Sequence, residues 1–378
     1  MRSLLANLFS MLLILILFCS SDSRAVEPAE EIAIPAEEIQ QVLAVENVCA
    51  WPNLTRLKDG TIIAIFHNKP SHGQQEADID CYSSRAGLVW TKLSTVTEHV
   101  SKTIRMNHAA GIAKNGDLVV LCSGWTDVKQ ETRPKQTAFR DAILRNWVLR
   151  SRDAGNNWEK RDAFPAGEKG WTEYIPFGDI WTGDDDALHV SCYQGEFRDP
   201  SKSSKTKGWR SSHLRSDDDG WTWEVVSIIG KRHNETNVFP LGGKSWLAAA
   251  RIDRMELIRS DDHGLTWQEP VPVTRRNEIN GHLTRLADGR LLLSYGNRVN
   301  GHRGVLAKLS NDDGVTWSDP IRVAHTADDG DCGYPESVQR ADDQIVTAWY
   351  SNNSPLHTGY HLGITIWKAP ELKGKSVQ

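Results

Sequence analysis

The chain of 378 residues holds only 4 Met, 8 Phe and 7 Tyr, and none of its 6 Cys falls in the Cys-x-x-Cys spacing of a zinc site. It also lacks an excess of either charge. With 44 basic residues against 49 acidic ones, the net −5 leaves no electrostatic footprint for nucleic acid and none for a polybasic membrane-surface protein. The apolar run LFSMLLILILF is too short to span a bilayer. Arg2 precedes this run and Ser23-Arg24-Ala25 follows it, so residues 1–25 read as a signal peptide rather than a retained anchor. The mature chain is expected to be secreted or periplasmic, without stable membrane insertion, where disulfides are permitted.

What the chain has in plenty is Trp, 15 in all, and repeats. An octapeptide recurs as SRDAGNNW (Ser151 to Trp158), SDDDGWTW (Ser216 to Trp223), SDDHGLTW (Ser260 to Trp267) and SNDDGVTW (Ser310 to Trp317). A degenerate copy, SSRAGLVW (Ser83 to Trp90), carries Arg85 in place of the acidic residue. Such a segment reads as a turn. Ser and Asp bond nearby backbone N–H groups, Gly takes positive φ, and Trp folds back to plug the hairpin flank. These aspartates are therefore read as structural, not as metal ligands or catalytic groups.

A second unit recurs six times: NLTRLKDGTIIAIF, AAGIAKNGDLVVLC, IPFGDIWTGDDDALHVSC, TNVFPLGGKSWLAAAR, GHLTRLADGRLLLSYG and PESVQRADDQIVTAWY. Each reads as strand, tight turn, strand, with a further strand leading to the Trp turn. The expected fold is all-β, a six-bladed β-propeller of four-stranded antiparallel blades over residues 26–370, with 371–378 a flexible tail. The last copy is followed by only one strand-like stretch, HLGITIW, so EEIQQVLAVE near the start is expected to supply its outer strand. No compositional linker supports the competing reading of two β-sandwich domains. The polar stretches 126–145 and 194–213 read as loops.

In a propeller the innermost strands begin at one mouth of the axis. Counting nine residues back from each turn Gly or its equivalent gives Trp51, Asn107, Phe177, Glu235, Asn280 and Tyr334. That ring combines stacking surfaces with proton donors and acceptors, the lining of a sugar site. The same register sets Cys49 beside Cys332 and Cys122 beside Cys192 on neighbouring blades, either as disulfides or as buried free thiols. Asp184 to Asp186 read as a solvated turn with calcium as the competing reading.

The octapeptide resembles the Asp box, or bacterial neuraminidase repeat, and the layout resembles the sialidase superfamily over nearly the whole mature chain. That resemblance implies an arginine triad gripping a sugar carboxylate, a tyrosine nucleophile assisted by a glutamate, and an acidic acid/base. Glu235 and Arg251 have the implied glutamate–arginine spacing, and Tyr334 precedes the last turn as the nucleophile would. Arg303, or else Arg298, stands where the third arginine belongs. Two departures follow. CAWP places Ala50 where the first arginine is expected, and the acid/base position falls near Gln75, making Glu76 and Asp78 its candidates. Arg105 could restore a third cation from the second blade.

The resemblance thus implies a monomeric exo-glycosidase cutting a terminal acidic sugar from a glycan, without cofactor or metal. Two other readings stay open. In a uronate lyase, arginine would acidify a C–H bond and Tyr334 or His108 would move the proton. In a noncatalytic carbohydrate-binding propeller, Trp51, Phe177 and Tyr334 would only stack.

Overall fold

The structure, a computed structural model, describes residues 30–127, 142–196, 208–328 and 330–372. Residues 1–29, which include the expected signal peptide, and residues 373–378 fall outside the described residues, as does most of the two polar stretches. Among the described residues there are twenty-four strands and one short 3₁₀ turn. No described helix is long and apolar enough to cross a membrane.

The strands form four four-stranded sheets and one eight-stranded sheet. Each four-stranded unit is an antiparallel meander running outward from an innermost strand. The innermost strands are Asn53–Arg56, Thr103–Ile112, Ile175–Thr182, Thr236–Gly242, Glu278–Arg285 and Cys332–Gln339. Each touches the next around one axis, and the last touches the first, which makes the molecule a β-propeller. The last sheet takes its outermost strand from the start of the chain. Ile39–Glu46 pairs antiparallel with His357–Trp367, and Arg322 holds Glu31 just upstream. This strand completes the fourth place of the last sheet and ties the two ends of the chain together.

The eight-stranded sheet arises where two meanders join through their innermost strands. Gly178, Asp179 and Ile180 pair in parallel with Ala109, Ala110 and Gly111. Small side chains allow that approach: a Cβ on Gly111 would lie 2.1 Å from the Ile180 carbonyl oxygen.

Apolar clusters fill the space between successive sheets. The second strand of a sheet is covered on both faces, so Ile62–His67 and Leu291–Asn297 are buried at every residue. The octapeptides close the outer hairpins as their residues require. In the second copy Gly220 N–H donates to Ser216 Oγ at 2.9 Å, while the Thr222 N–H and hydroxyl donate to Asp218 at 2.8 and 2.6 Å. The Trp223 indole N–H then donates to the Gly220 carbonyl at 3.0 Å. In the degenerate copy Arg85 instead reaches out to Asp59.

Three expectations are corrected or narrowed. The loop readings overran, since strand begins at Ala142 and Trp209, where apolar and aromatic residues regain partners on the strand beside them. Leu372, within the expected tail, packs against the core cluster that includes Ile345 and Trp367. The five described cysteines are buried free thiols. Cys122 Sγ faces the Ser123 carbonyl at 3.2 Å and Cys332 Sγ faces the Asn297 carbonyl, and burial pushes the Cys122 thiol up to about 12.

Candidate functional site

Innermost strands are distorted where they begin. Register shifts fall between Arg105 and His108, Phe177 and Trp181, Ile279 and His282, and Gly333 and Glu336. Trp51, Asn280 and Tyr334 take φ of 42°, 61° and 47°, a region that bulky side chains avoid at a cost of roughly 1–3 kcal/mol each. Those bulges turn side chains that would alternate across a regular strand toward the axis. Trp51, Asn107, Phe177, Glu235, Asn280 and Tyr334 all line one cavity at the mouth, together with His72 and Trp125.

At the heart of the cavity Tyr334 Oη donates to Glu235 Oε1 at 2.5 Å. Arg251 pairs with the other oxygen of Glu235 and lies 3.3 Å from Tyr334 Oη, and Asn280 Nδ2 donates to Glu235 at 2.6 Å. Burial, then the charge of Glu235, pushes the Tyr334 phenol well above its ordinary value, so it is protonated at rest. Arg298 lies over the Tyr334 ring, 5.7 Å from its centroid, and reaches Asp331 at 3.1 Å and Tyr350 Oη at 3.3 Å. Asp331 also meets His72 Nδ1 at 2.8 Å and Tyr360 Oη at 3.3 Å. Despite its burial, His72 and Arg298 hold its carboxyl below the usual range. Trp51, Phe177 and Tyr350 surround Tyr334 with ring centroids at 6.3, 6.0 and 5.7 Å. This is an apolar collar around one ionic knot.

A second tier lies beneath the first, two residues further along the same strands: Asn53, Asp179, Asn237, His282 and Glu336. Asp179 accepts from Asn53 at 3.3 Å, from Asn237 at 3.1 Å and from His282 Nε2 at 2.7 Å. The Leu54 N–H donates to Glu336 at 2.7 Å. Burial, then neighbouring Asp179, pushes Glu336 well above the ordinary carboxyl range. Glu336 is therefore held protonated. Strand periodicity could have located this tier, since i and i+2 face the same way.

Arg251 and Arg298 touch Tyr334 from behind without lining the cavity, and four further sequence candidates lie away from it altogether. Arg105 is buried over Trp147, 3.5 Å from its ring centroid, and donates to the carbonyls of Cys122 and Arg145. Arg303 donates to the Gly330 carbonyl and to Asn300. Of the two alternatives for the third arginine, Arg298 is the one beside Tyr334. Glu76 accepts the Lys102 N–H at 2.5 Å, which lowers its pKa, the opposite of what a proton donor needs. Asp78 accepts from Thr97 and meets His99 Nδ1 at 2.7 Å. His108 does line the wall, with Nδ1 and Nε2 at 3.1 and 3.0 Å from the carbonyls of Met106 and Ile65, and Asn107 accepts from the Trp125 indole. The resemblance placed the acid/base from the following strand, and the loop between 68 and 78 leaves Glu76 exposed and commits Asp78 to Thr97 and His99.

Two trios bring metal-type donor atoms within 4.8 Å of one another: Cys49, His72 and Asp331, and Asp179, His282 and Glu336. Both read as hydrogen-bond networks. Burial keeps Cys49 a thiol, Asp331 is already divided among three partners, and Glu336 in the second trio is held protonated.

Fold and cavity together define a propeller with repeated Asp-box turns and a polar, aromatic-collared mouth. Residues 60–346 match the BNR repeat-like domain, and the chain belongs to that family. Among solved structures, a protein of unknown function from Dyadobacter fermentans matches with a TM-score of 0.73 at 20% identity, over 89% of this chain and 100% of its own. The Hadza microbial sialidase Hz136 matches with a TM-score of 0.65 at 15% identity, covering 84% of this chain and 65% of that one. The Trypanosoma rangeli sialidase in complex with the inhibitor DANA matches with a TM-score of 0.63 at 14% identity, covering 86% and 55%. The chain thus spans less than two thirds of either sialidase. No curated protein matches it by sequence. At these identities the likeness establishes the sialidase-type propeller fold.

Proposed function

We propose that this chain is a secreted, sialidase-like exo-glycosidase that removes a terminal acidic sugar from glycans. Its propeller is counted as six-bladed by taking the eight-stranded sheet as two blades. The observation that carries the reading is the Tyr334–Glu235 contact of 2.5 Å, with Arg251 touching both groups. A neutral phenol suits a substrate bearing a carboxylate, because an anionic nucleophile would be repelled by it. As Tyr334 Oη attacks the anomeric carbon, its proton passes to Glu235, and the leaving oxygen must gain a proton from elsewhere. Arg251 and Arg298 supply planar, charge-assisted donors for the sugar carboxylate, and Trp51 and Phe177 supply apolar walls. Ala50 contributes no cation, so the grip comes from two arginines.

Incubation of the purified protein with a chromogenic sialoside is expected to release the chromophore. Unsaturated-uronate absorbance from an acidic polysaccharide, without sialoside cleavage, would replace this reading with a lyase. Glycan binding with neither signal would leave a noncatalytic binding propeller.

A further inference from the structure

We propose that the cavity at the far end of the propeller axis, opposite the Tyr334 mouth, is a second, noncatalytic binding site for an acidic saccharide. Register locates it. The mouth residues lie nine positions before each turn and the lower tier seven, so the next positions facing the axis lie five before it. In five of the six units these are Thr55, Gly111, Trp181, Thr284 and Val338, and all of them line one cavity of about 730 Å³. The cavity beside Tyr334 measures about 120 Å³. Asp179 lines the far cavity while its tier partners Asn53, Asn237, His282 and Glu336 line the near one, so the lower tier is the partition between the two.

The rim carries Arg56, Arg285 and Arg340. Arg56 and Arg285 hold the same place in two repeated units, NLTRLKDG and GHLTRLADG, four residues before the turn Gly. Arg285 pairs with Asp313 at 2.9 Å and Arg340 with Asp342 at 2.6 Å. Arg56 is exposed and meets no side-chain partner among the described residues. Deeper in the wall, the Trp181 indole N–H is buried without an acceptor among the described residues. Of the two carboxylates that line the cavity, Asp179 is turned to Asn53, Asn237 and His282, and Asp343 lies exposed at the rim.

The cavity therefore offers a guanidinium and an indole N–H, both of them donors with no lone pair to give, beside the adaptable hydroxyls of Thr182 and Thr284. Such a lining takes a ligand that is rich in acceptors and negatively charged, and a guanidinium grips a carboxylate through two parallel N–H bonds. The volume lies within the roughly 300–1,000 Å³ of organic-ligand sites, more than a bare inorganic anion fills. A sugar ring bearing a carboxylate supplies the charge, the hydroxyls and the size together. A glycan held there anchors the propeller by the face turned away from Tyr334 and leaves the near cavity open.

The test uses the full chain carrying Tyr334→Phe, so that a bound sialoside is not turned over, titrated calorimetrically with sialyl-lactose, lactose and inorganic phosphate. Two sialyl-lactose sites per chain are expected. Adding Arg56→Glu should weaken one of them about 10- to 100-fold and leave the other unchanged. Adding Trp181→Phe instead, which removes the N–H and keeps a ring in the wall, should weaken the same site by up to about tenfold. Lactose and phosphate should each bind that site at least about tenfold more weakly than sialyl-lactose. Sialyl-lactose binding that Arg56→Glu leaves unaltered overturns the proposal. So does a far site that lactose or phosphate fills as tightly as sialyl-lactose. A wild-type chain that cleaves no sialoside overturns the glycosidase reading alone, because the binding that depends on Arg56 is read without turnover.

Discussion

Two sets of equivalent positions behave in opposite ways. At the octapeptide turns the same backbone place carries nearly the same residue each time, and in the four regular copies the aspartate is bonded from within its own copy. Asp153, Asp218, Asp262 and Asp312 each accept from a residue four further on. At the mouth, six places with equally regular spacing carry Trp, Asn, Phe, Glu, Asn and Tyr, and none completes its bonding within its own strand. Glu235 is met by Tyr334, Arg251 and Asn280. A repeat keeps its chemistry where the task is local to each sheet and diverges where all the sheets build one asymmetric cavity.

The comparison can be broken at the mouth first. Tyr334→Phe should lower kcat/KM on a sialoside by at least about a thousandfold, with the melting temperature little changed, since one hydroxyl is removed and the ring stays. Next, Arg298→Lys should weaken substrate capture about 10- to 100-fold, from the roughly 1.5–3 kcal/mol carried by a charge-assisted hydrogen bond, read as a rise in KM. A turn variant should do the reverse. Asp262→Ala should cost about 1 kcal/mol of stability in denaturant melts and leave turnover unchanged.

Smaller effects sharpen the contrast through pH. Bonds from Thr266 hydroxyl and N–H hold Asp262 at about 2, against an ordinary 3.8. A depressed folded pKa gives stability that is present above 3.8 and lost as pH falls toward about 2, so Asp262→Asn should flatten the acid side of the melting profile. Glu336 has the opposite sign. Its folded pKa lies well above 4.5, so the folded state binds more protons and stability falls as pH rises past that value. Glu336→Gln should melt above the wild type at pH 8 and match it near pH 4. A Gln variant that loses stability at pH 8 would rule out a protonated Glu336 in the lower tier.

Much of the propeller was legible because its signals are local. Turn residues at fixed offsets mark each hairpin, and the missing last strand followed from counting. The mouth ring was reachable by the same count, since its residues lie at matching offsets from their turns even though the ladder register shifts beside Asn280 and Tyr334. The lower tier needed only a further step of two. Glu76 and Asp78 were placed from the strand that follows their loop, whereas Arg105, within a strand, and Arg303, ahead of the last octapeptide, turn to carbonyl oxygens instead. The same loops hide His72 and Asp331, 259 residues apart and 2.8 Å from each other.

The sequence by itself determined the repeat, the hairpins and which strand ends face the axis, because hydrogen bonding and alternation act over a few residues. Only the tertiary structure decided which charges meet. Ring closure brings residues from the two ends of the chain within contact, and whether an arginine faces the cavity or a carbonyl depends on the loop path between strands. Burial among those neighbours then sets the protonation of Tyr334 and Glu336.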